Sequence, residues 1–94
     1  MYNPRTMAKT DRTWHIYLLQ CADGTLYTGI TVDPERRVKT HNAGRGARYT
    51  RTRLPVRLLA SLPLPSHTEA MRLERRIKTF TPQRKLAFFT REPH

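Results

Sequence analysis

Asp23-Gly24 lies between two runs of β-forming residues, and this arrangement constrains the fold more tightly than any other feature of the chain. Trp14-His-Ile-Tyr-Leu-Leu-Gln-Cys21 precedes it and Leu26-Tyr-Thr-Gly-Ile-Thr31 follows it. Two such runs joined by Asp-Gly predict an antiparallel hairpin. The first run carries apolar or aromatic groups at both parities, so its strand is expected to be covered on both faces. Gly29 inside the second run marks a bulge or a close backbone approach. A two-residue turn at Asp23-Gly24 places Tyr17 and Tyr27 on opposite faces of the sheet. A three-residue turn, Asp23-Gly24-Thr25, or one bulge, places both on one face.

The rest of the chain follows from its punctuation. Asp33-Pro34-Glu35 starts a helix, with an N-cap, a proline at the first helical position and an acid in the first turn. That helix is expected to reach Asn42 and stop at Ala43-Gly44. Gly44 to Arg53 reads as a loop or irregular arm. Val56 to Leu62 is the third strand. Ser66 or Thr68 caps a helix whose Ala70, Leu73, Ile77 and Phe80 recur at helical spacing. Pro82 ends that helix or opens a last one, through Phe89. The order β-β-α-β-α-α predicts an α+β fold, a small three-stranded antiparallel sheet flanked by helices. A chain of 94 residues holds one core. The expected division is a flexible basic tail over residues 1–12 and a single domain over 13–94, with either Met1 or Met7 as the start.

Charge narrows the partners. Lys plus Arg number 18 against 7 acids, a formal net charge of +11. No acid occurs from Arg36 to Thr68. A chain so one-sided calls for a polyanion, and arginine's planar fork suits phosphate. Cys21, the single cysteine, excludes an internal disulfide and a cysteine-built zinc site. No apolar stretch is long enough to span a membrane. With no secretion signal in view, a cytoplasmic protein is expected.

Three groups of residues carry possible chemistry. On the helix from Asp33, residues Pro34, Arg37, Val38 and His41 share one face, so a sheet-facing surface carries an arginine and a histidine. Glu74 lies on the edge of the apolar stripe of the later helix. It is placed to pair with Lys78, four residues on, or to hold a divalent ion as one carboxylate among waters and phosphate oxygens. Tyr17 and Tyr27 are strand tyrosines that fill a core or meet in a site. Nucleophile elbows, metal-spaced histidines and phosphate-binding glycine loops are absent.

His15-Ile16-Tyr17, Tyr27-Thr28-Gly29, Arg37, His41-Asn42, Gly44-Arg-Gly-Ala-Arg-Tyr-Thr50 and Glu74, in this order, resemble the GIY-YIG nuclease superfamily, in particular its small stand-alone bacterial members. The resemblance runs from about Trp14 to Phe89. His15 replaces the usual glycine and Thr28 the usual isoleucine; neither position supplies a reactive group. The resemblance implies a metal-dependent endonuclease that hydrolyses phosphodiester bonds in DNA, or RNA, with a role in DNA repair or recombination. With no targeting domain attached, structure or single-strand selectivity is expected rather than sequence specificity. It implies Tyr17 as general base, Tyr27 orienting water or phosphate, Arg37 stabilising phosphoryl charge, His41 as auxiliary base or proton shuttle, and Glu74 holding one Mg²⁺ or Mn²⁺. A metal ion and Arg37 are expected to lower the Tyr17 pKa. Arg36, Lys39, Arg45, Arg48, Tyr49, Arg51, Arg53, Arg76 and Lys78 are the expected nucleic-acid contacts. The alternatives are a non-catalytic nucleic-acid-binding domain and a docking module of a repair assembly.

Overall fold

The structure, a computed structural model, describes residues 13–90. The basic tail expected over residues 1–12 lies outside them. Strands β1 (Trp14–Gln20), β2 (Leu26–Thr31) and β3 (Arg57–Leu64) form one antiparallel sheet in the order β2-β1-β3. Helices α1 (Pro34–Asn42), α2 (Arg48–Arg51), α3 (His67–Ile77) and α4 (Pro82–Thr90) surround it. The fold is α+β, as expected, with one addition: the arm read as a loop contains the short helix α2.

β1 is central, and the sequence shows why. Ile16, Tyr17, Leu18 and Leu19 are all buried, so both faces of the strand are covered. Ile16 and Leu18 pack with Ile77 of α3 and Phe89 of α4. Tyr17 and Leu19 point the other way, into a second cluster with Cys21, Val56 and Val38 of α1. Burying these large side chains contributes roughly 1.5–3 kcal/mol each.

The hairpin has the longer turn, but one residue earlier than Asp23-Gly24-Thr25. Tyr17 pairs with Gly29, and Gln20 with Leu26. The Cys21 N–H donates to the Thr25 carbonyl at 2.8 Å, which leaves Ala22-Asp23-Gly24 as the turn. Gly24, at φ 87°, takes the left-handed place that closes such a loop. The Asp23 carboxylate accepts from the Thr25 N–H at 3.0 Å and from its hydroxyl at 2.6 Å. Gly29 is no bulge, since the β1–β2 register runs through it unbroken. The irregularity lies instead between β1 and β3, at Leu18/Leu19.

β3 begins at Arg57 and runs two residues past the expected end at Leu62. Pro63 sits opposite His15 within it, which an edge strand tolerates. Val56, expected to open the strand, is held by a side chain instead. Its N–H donates to Asn42 Oδ1 at 2.7 Å and its carbonyl accepts from Asn42 Nδ2 at 2.9 Å. Asn42 therefore ties the end of α1 to the entry of β3. Ser66, not Thr68, caps α3, accepting from the Glu69 N–H at 3.1 Å. Ala70 and Ile77 of its stripe are buried, and Leu73 and Phe80 pack beside them.

Thr28 faces the apolar cluster from β2, opposite Leu18, and its Oγ1 is buried with no partner. A buried hydroxyl left unpaired costs about 1–3 kcal/mol. Thr28→Val keeps the shape and removes that cost. Denaturant melts should show a gain of about 1 kcal/mol; a loss would mean that the hydroxyl is satisfied.

Candidate active site

Tyr17 and Tyr27 project from the same face of the sheet, because the register sets Tyr17 against Gly29 and Tyr27 against Leu19. Their rings lie 6.4 Å apart between centroids. The face of α1 that carries Arg37, Val38 and His41 covers them. His41, fully buried, lies edge-on to both tyrosine rings, at 6.1 Å from Tyr17 and 5.4 Å from Tyr27. Its Nε2 meets the Tyr17 hydroxyl at 3.0 Å, and its Nδ1 meets Thr50 Oγ1 at 2.8 Å.

Two glycines make room for this pair. A Cβ on Gly29 would collide with the Tyr17 hydroxyl and ring carbons. A Cβ on Gly46 would collide with the His41 ring. The close approach expected at Gly29 is therefore to a side chain across the strand pair. Gly46 plays the matching part for the histidine.

α3 packs on the opposite face, yet its edge reaches the same place. β2 is an edge strand, and Lys78, just past the end of α3, lies 5.6 Å from the Tyr27 ring centroid. Its ammonium also pairs with Glu74 Oε2 at 3.2 Å. The Glu74 carboxylate and the Arg37 guanidinium both act on the Tyr17 hydroxyl through their charges. Four side chains from β2, α1 and α3 thus converge on the one phenol of β1.

The electrostatics differ from the sequence expectation in one respect. Burial pushes the Tyr17 hydroxyl up to about 12. Arg37 pulls it down, while Tyr27 and Glu74 push it further up. The arginine does favour the phenolate, as expected, but loss of water outweighs it. His41 is pushed down to about 4, by burial first and by Arg37 second, so it is neutral at pH 7.

The remaining expected residues separate into two sets. Arg36, Lys39, Arg45, Arg48, Arg51 and Arg76 are exposed. Tyr49, Arg53 and Lys78 are engaged around the site. Tyr49 stacks on Tyr27 at 6.0 Å between centroids, and the Arg53 guanidinium lies 3.9 Å over the outer ring. Arg53 also pairs with Asp23 of the hairpin turn at 3.1 Å. The sequence reading missed Gly46, Thr50 and Asp23 as parts of this assembly. Gly46 stands out in the sequence only as a loop glycine. Thr50 closes the Gly44 to Thr50 segment of the resemblance, but nothing in the sequence points to its partner. His15, the substitution in the first motif, leaves Nδ1 buried and unpartnered.

No group of three or more His, Cys, Asp or Glu side chains that could hold a metal ion occurs among the described residues. The donor set near Tyr17 is a single half-buried carboxylate, Glu74, already neutralised by a cation. This fits Mg²⁺ or Mn²⁺ held by one carboxylate together with water and phosphate oxygens. It does not fit an all-protein cage.

The three-stranded sheet thus gathers two tyrosines, an arginine, a histidine and a glutamate at its β2 edge. The GIY-YIG catalytic domain matches residues 13–86, and the chain belongs to that family. It is similar to a UPF0213 protein of Streptococcus agalactiae, with 55% identity over 74 residues, 79% of this chain and 84% of the relative. A UPF0213 protein of Halobacterium salinarum is 52% identical over 75 residues, 80% and 97% of the two chains. The solution structure of a UPF0213 protein from Bacillus halodurans aligns with TM-score 0.52 at 43% identity, covering 86% and 88%. That of an E. faecalis protein aligns with TM-score 0.59 at 33% identity, covering 89% and 94%.

Proposed function

We propose that this domain is a metal-dependent DNA endonuclease that hydrolyses phosphodiester bonds. Its selectivity is for single-stranded or branched structure rather than for sequence, in the service of DNA repair or recombination. The observation that supports this reading best is the convergence of Tyr27, Arg37, His41 and Glu74 on the Tyr17 hydroxyl. Core packing does not require four polar side chains from three elements to surround a buried phenol.

Tyr17 is the general base toward the attacking water, and His41 Nε2 is the group placed to take the phenol's proton. In the free domain that transfer is strongly disfavoured, because Tyr17 holds its proton to about pH 12 and His41 refuses one above about pH 4. Arg37 provides the fixed positive charge that favours both phenolate and phosphoryl oxyanion. Tyr27 borders the phenol and orients the phosphate. Glu74 would hold Mg²⁺ or Mn²⁺, which when bound supplies Lewis-acid polarisation of the phosphate and the leaving oxygen. The exposed arginines Arg48 and Arg51 of α2 contact the flanking backbone.

Single-stranded, duplex, flap and RNA substrates, each with Mg²⁺, Mn²⁺ or EDTA, test the reading. Metal-dependent turnover on single-stranded or flap DNA is expected. Tight binding without turnover on any substrate would leave a binding domain only. The two arginine classes should also separate. Arg48→Glu and Arg51→Glu should each lower the salt slope of affinity by about one. Arg37→Ala should lower turnover with little change in affinity; equal affinity losses at all three would reduce Arg37 to a phosphate contact.

A further inference from the structure

The arm from Gly44 to Arg53 faces outward with its arginines, but its inner side closes on a histidine. Thr50 is fully buried in a four-residue helix whose other side chains are exposed. Its hydroxyl donates to the Ala47 carbonyl at 2.9 Å. A hydroxyl has one proton, so with that proton spent Thr50 Oγ1 is an acceptor toward His41 Nδ1, 2.8 Å away. Nδ1 must then carry the imidazole proton.

The other end of the ring requires the same assignment. Tyr17 O–H has His41 Nε2 as its hydrogen-bond partner at 3.0 Å. Arg37 also faces this hydroxyl, and a guanidinium only donates. Glu74 acts on it through its field. The phenol proton therefore goes to Nε2, which must present a lone pair. The resulting chain runs in one direction: Tyr17 O–H to Nε2, Nδ1–H to Thr50, Thr50 O–H to Ala47. Gly46 lies so close to the ring that a Cβ there would collide with it, so the imidazole is packed tightly between the arm and the sheet.

We propose that Thr50 is a positioning residue that locks His41 in the Nδ1–H tautomer, with its Nε2 lone pair aimed at the Tyr17 hydroxyl. Imidazole in water prefers the opposite tautomer, so the protein has to impose this one. The part that concerns turnover rests on the endonuclease reading; the tautomer itself does not. The arm thus has two sides with separate duties, arginines outward for phosphate and a threonine inward for the histidine. A wrong tautomer would point a proton, not a lone pair, at the phenol.

Long-range ¹H–¹⁵N correlation spectra of the full ¹⁵N-labelled chain at pH 7.5 read the tautomer directly from the two ring nitrogens, assigned with His41→Gln. The wild type is expected to show Nδ1 protonated and Nε2 bare. Thr50→Val keeps the shape and removes the acceptor; His41 should then shift toward the Nε2–H form. On the best substrate of the cleavage panel, kcat should fall roughly 10–10²-fold with KM unchanged. Thr50→Ser should restore both readouts. An Nε2–H tautomer in the wild type overturns the proposal, whether or not Thr50→Val folds. So does a Thr50→Val protein with wild-type tautomer and turnover. A locked Nδ1–H tautomer in a protein that cleaves nothing would instead uphold the lock and overturn the endonuclease reading.

Discussion

Glu74→Gln is expected to abolish cleavage, by roughly 10³-fold or more, while DNA binding stays as tight or tightens slightly. The carboxylate is half-buried at the end of the cluster, where its charge reaches the Tyr17 hydroxyl. Polarising a phosphoryl oxygen through a cation at such a carboxylate contributes several kcal/mol to the transition state, and each 1.4 kcal/mol is about tenfold. The amide keeps the shape, so the packing of α3 on the sheet hardly changes. Binding should not suffer, because the substitution removes a negative charge from the surface proposed to face phosphate. It also frees Lys78, whose ammonium is held on Glu74 at 3.2 Å. The partly exposed ion pair itself contributes little to stability. Gel-shift and cleavage assays on one substrate separate the two effects. Normal cleavage with a lower melting temperature would make Glu74 only a helix partner of Lys78.

Stability should fall between about pH 6.5 and pH 4, by about 3 kcal/mol, and His41 should account for that limb. Its pKa is near 6.5 in the unfolded chain and about 4 in the fold. In this window the unfolded chain binds a proton that the buried imidazole refuses. The unfolded state therefore binds more protons, and stability rises with pH until the unfolded histidine is neutral too. At the alkaline end the sign reverses. Tyr17 keeps its proton to about 12 in the fold, whereas the unfolded tyrosine releases it near 10, so stability falls as pH rises between them. Urea melts across pH 4–8 give the acid slope. His41→Gln should flatten it whatever its effect on absolute stability. An unchanged slope would mean that the histidine takes up a proton without cost in the fold.

Much of the architecture was legible because it is written in local chemistry. Asp33 and Pro34 start α1 where an N-cap and a first-position proline demand. The stripe Ala70, Leu73, Ile77 and Phe80 faces the core because its spacing leaves no other face apolar. The hairpin was legible as a hairpin, but not its register. Asp-Gly suits a two-residue turn, and only the pairing of Cys21 with Thr25 decides for Ala22-Asp23-Gly24. The helix face bearing Arg37 and His41 could be seen to point at the sheet, but only the family resemblance, not the residues themselves, said that it meets Tyr17 and Tyr27 there. Thr50 and Gly46 were invisible for the same reason. Their partner lies on another element, and neither residue type has a local preference that reveals a buried imidazole. Asn42 hid its role likewise, since a side chain standing in for a strand residue leaves no periodicity.

The edge position of β2 has a consequence for when the cluster around Tyr17 is complete. The tyrosines and the histidine come from one layer and the carboxylate from the other, around the rim of the sheet. A nascent or partly unfolded chain with its hairpin and α1 assembled still lacks Glu74 until α3 docks beneath. Under the proposed endonuclease function, competence to hydrolyse is thereby conditional on completion of the whole domain, because a local opening that frees either layer takes the cluster apart.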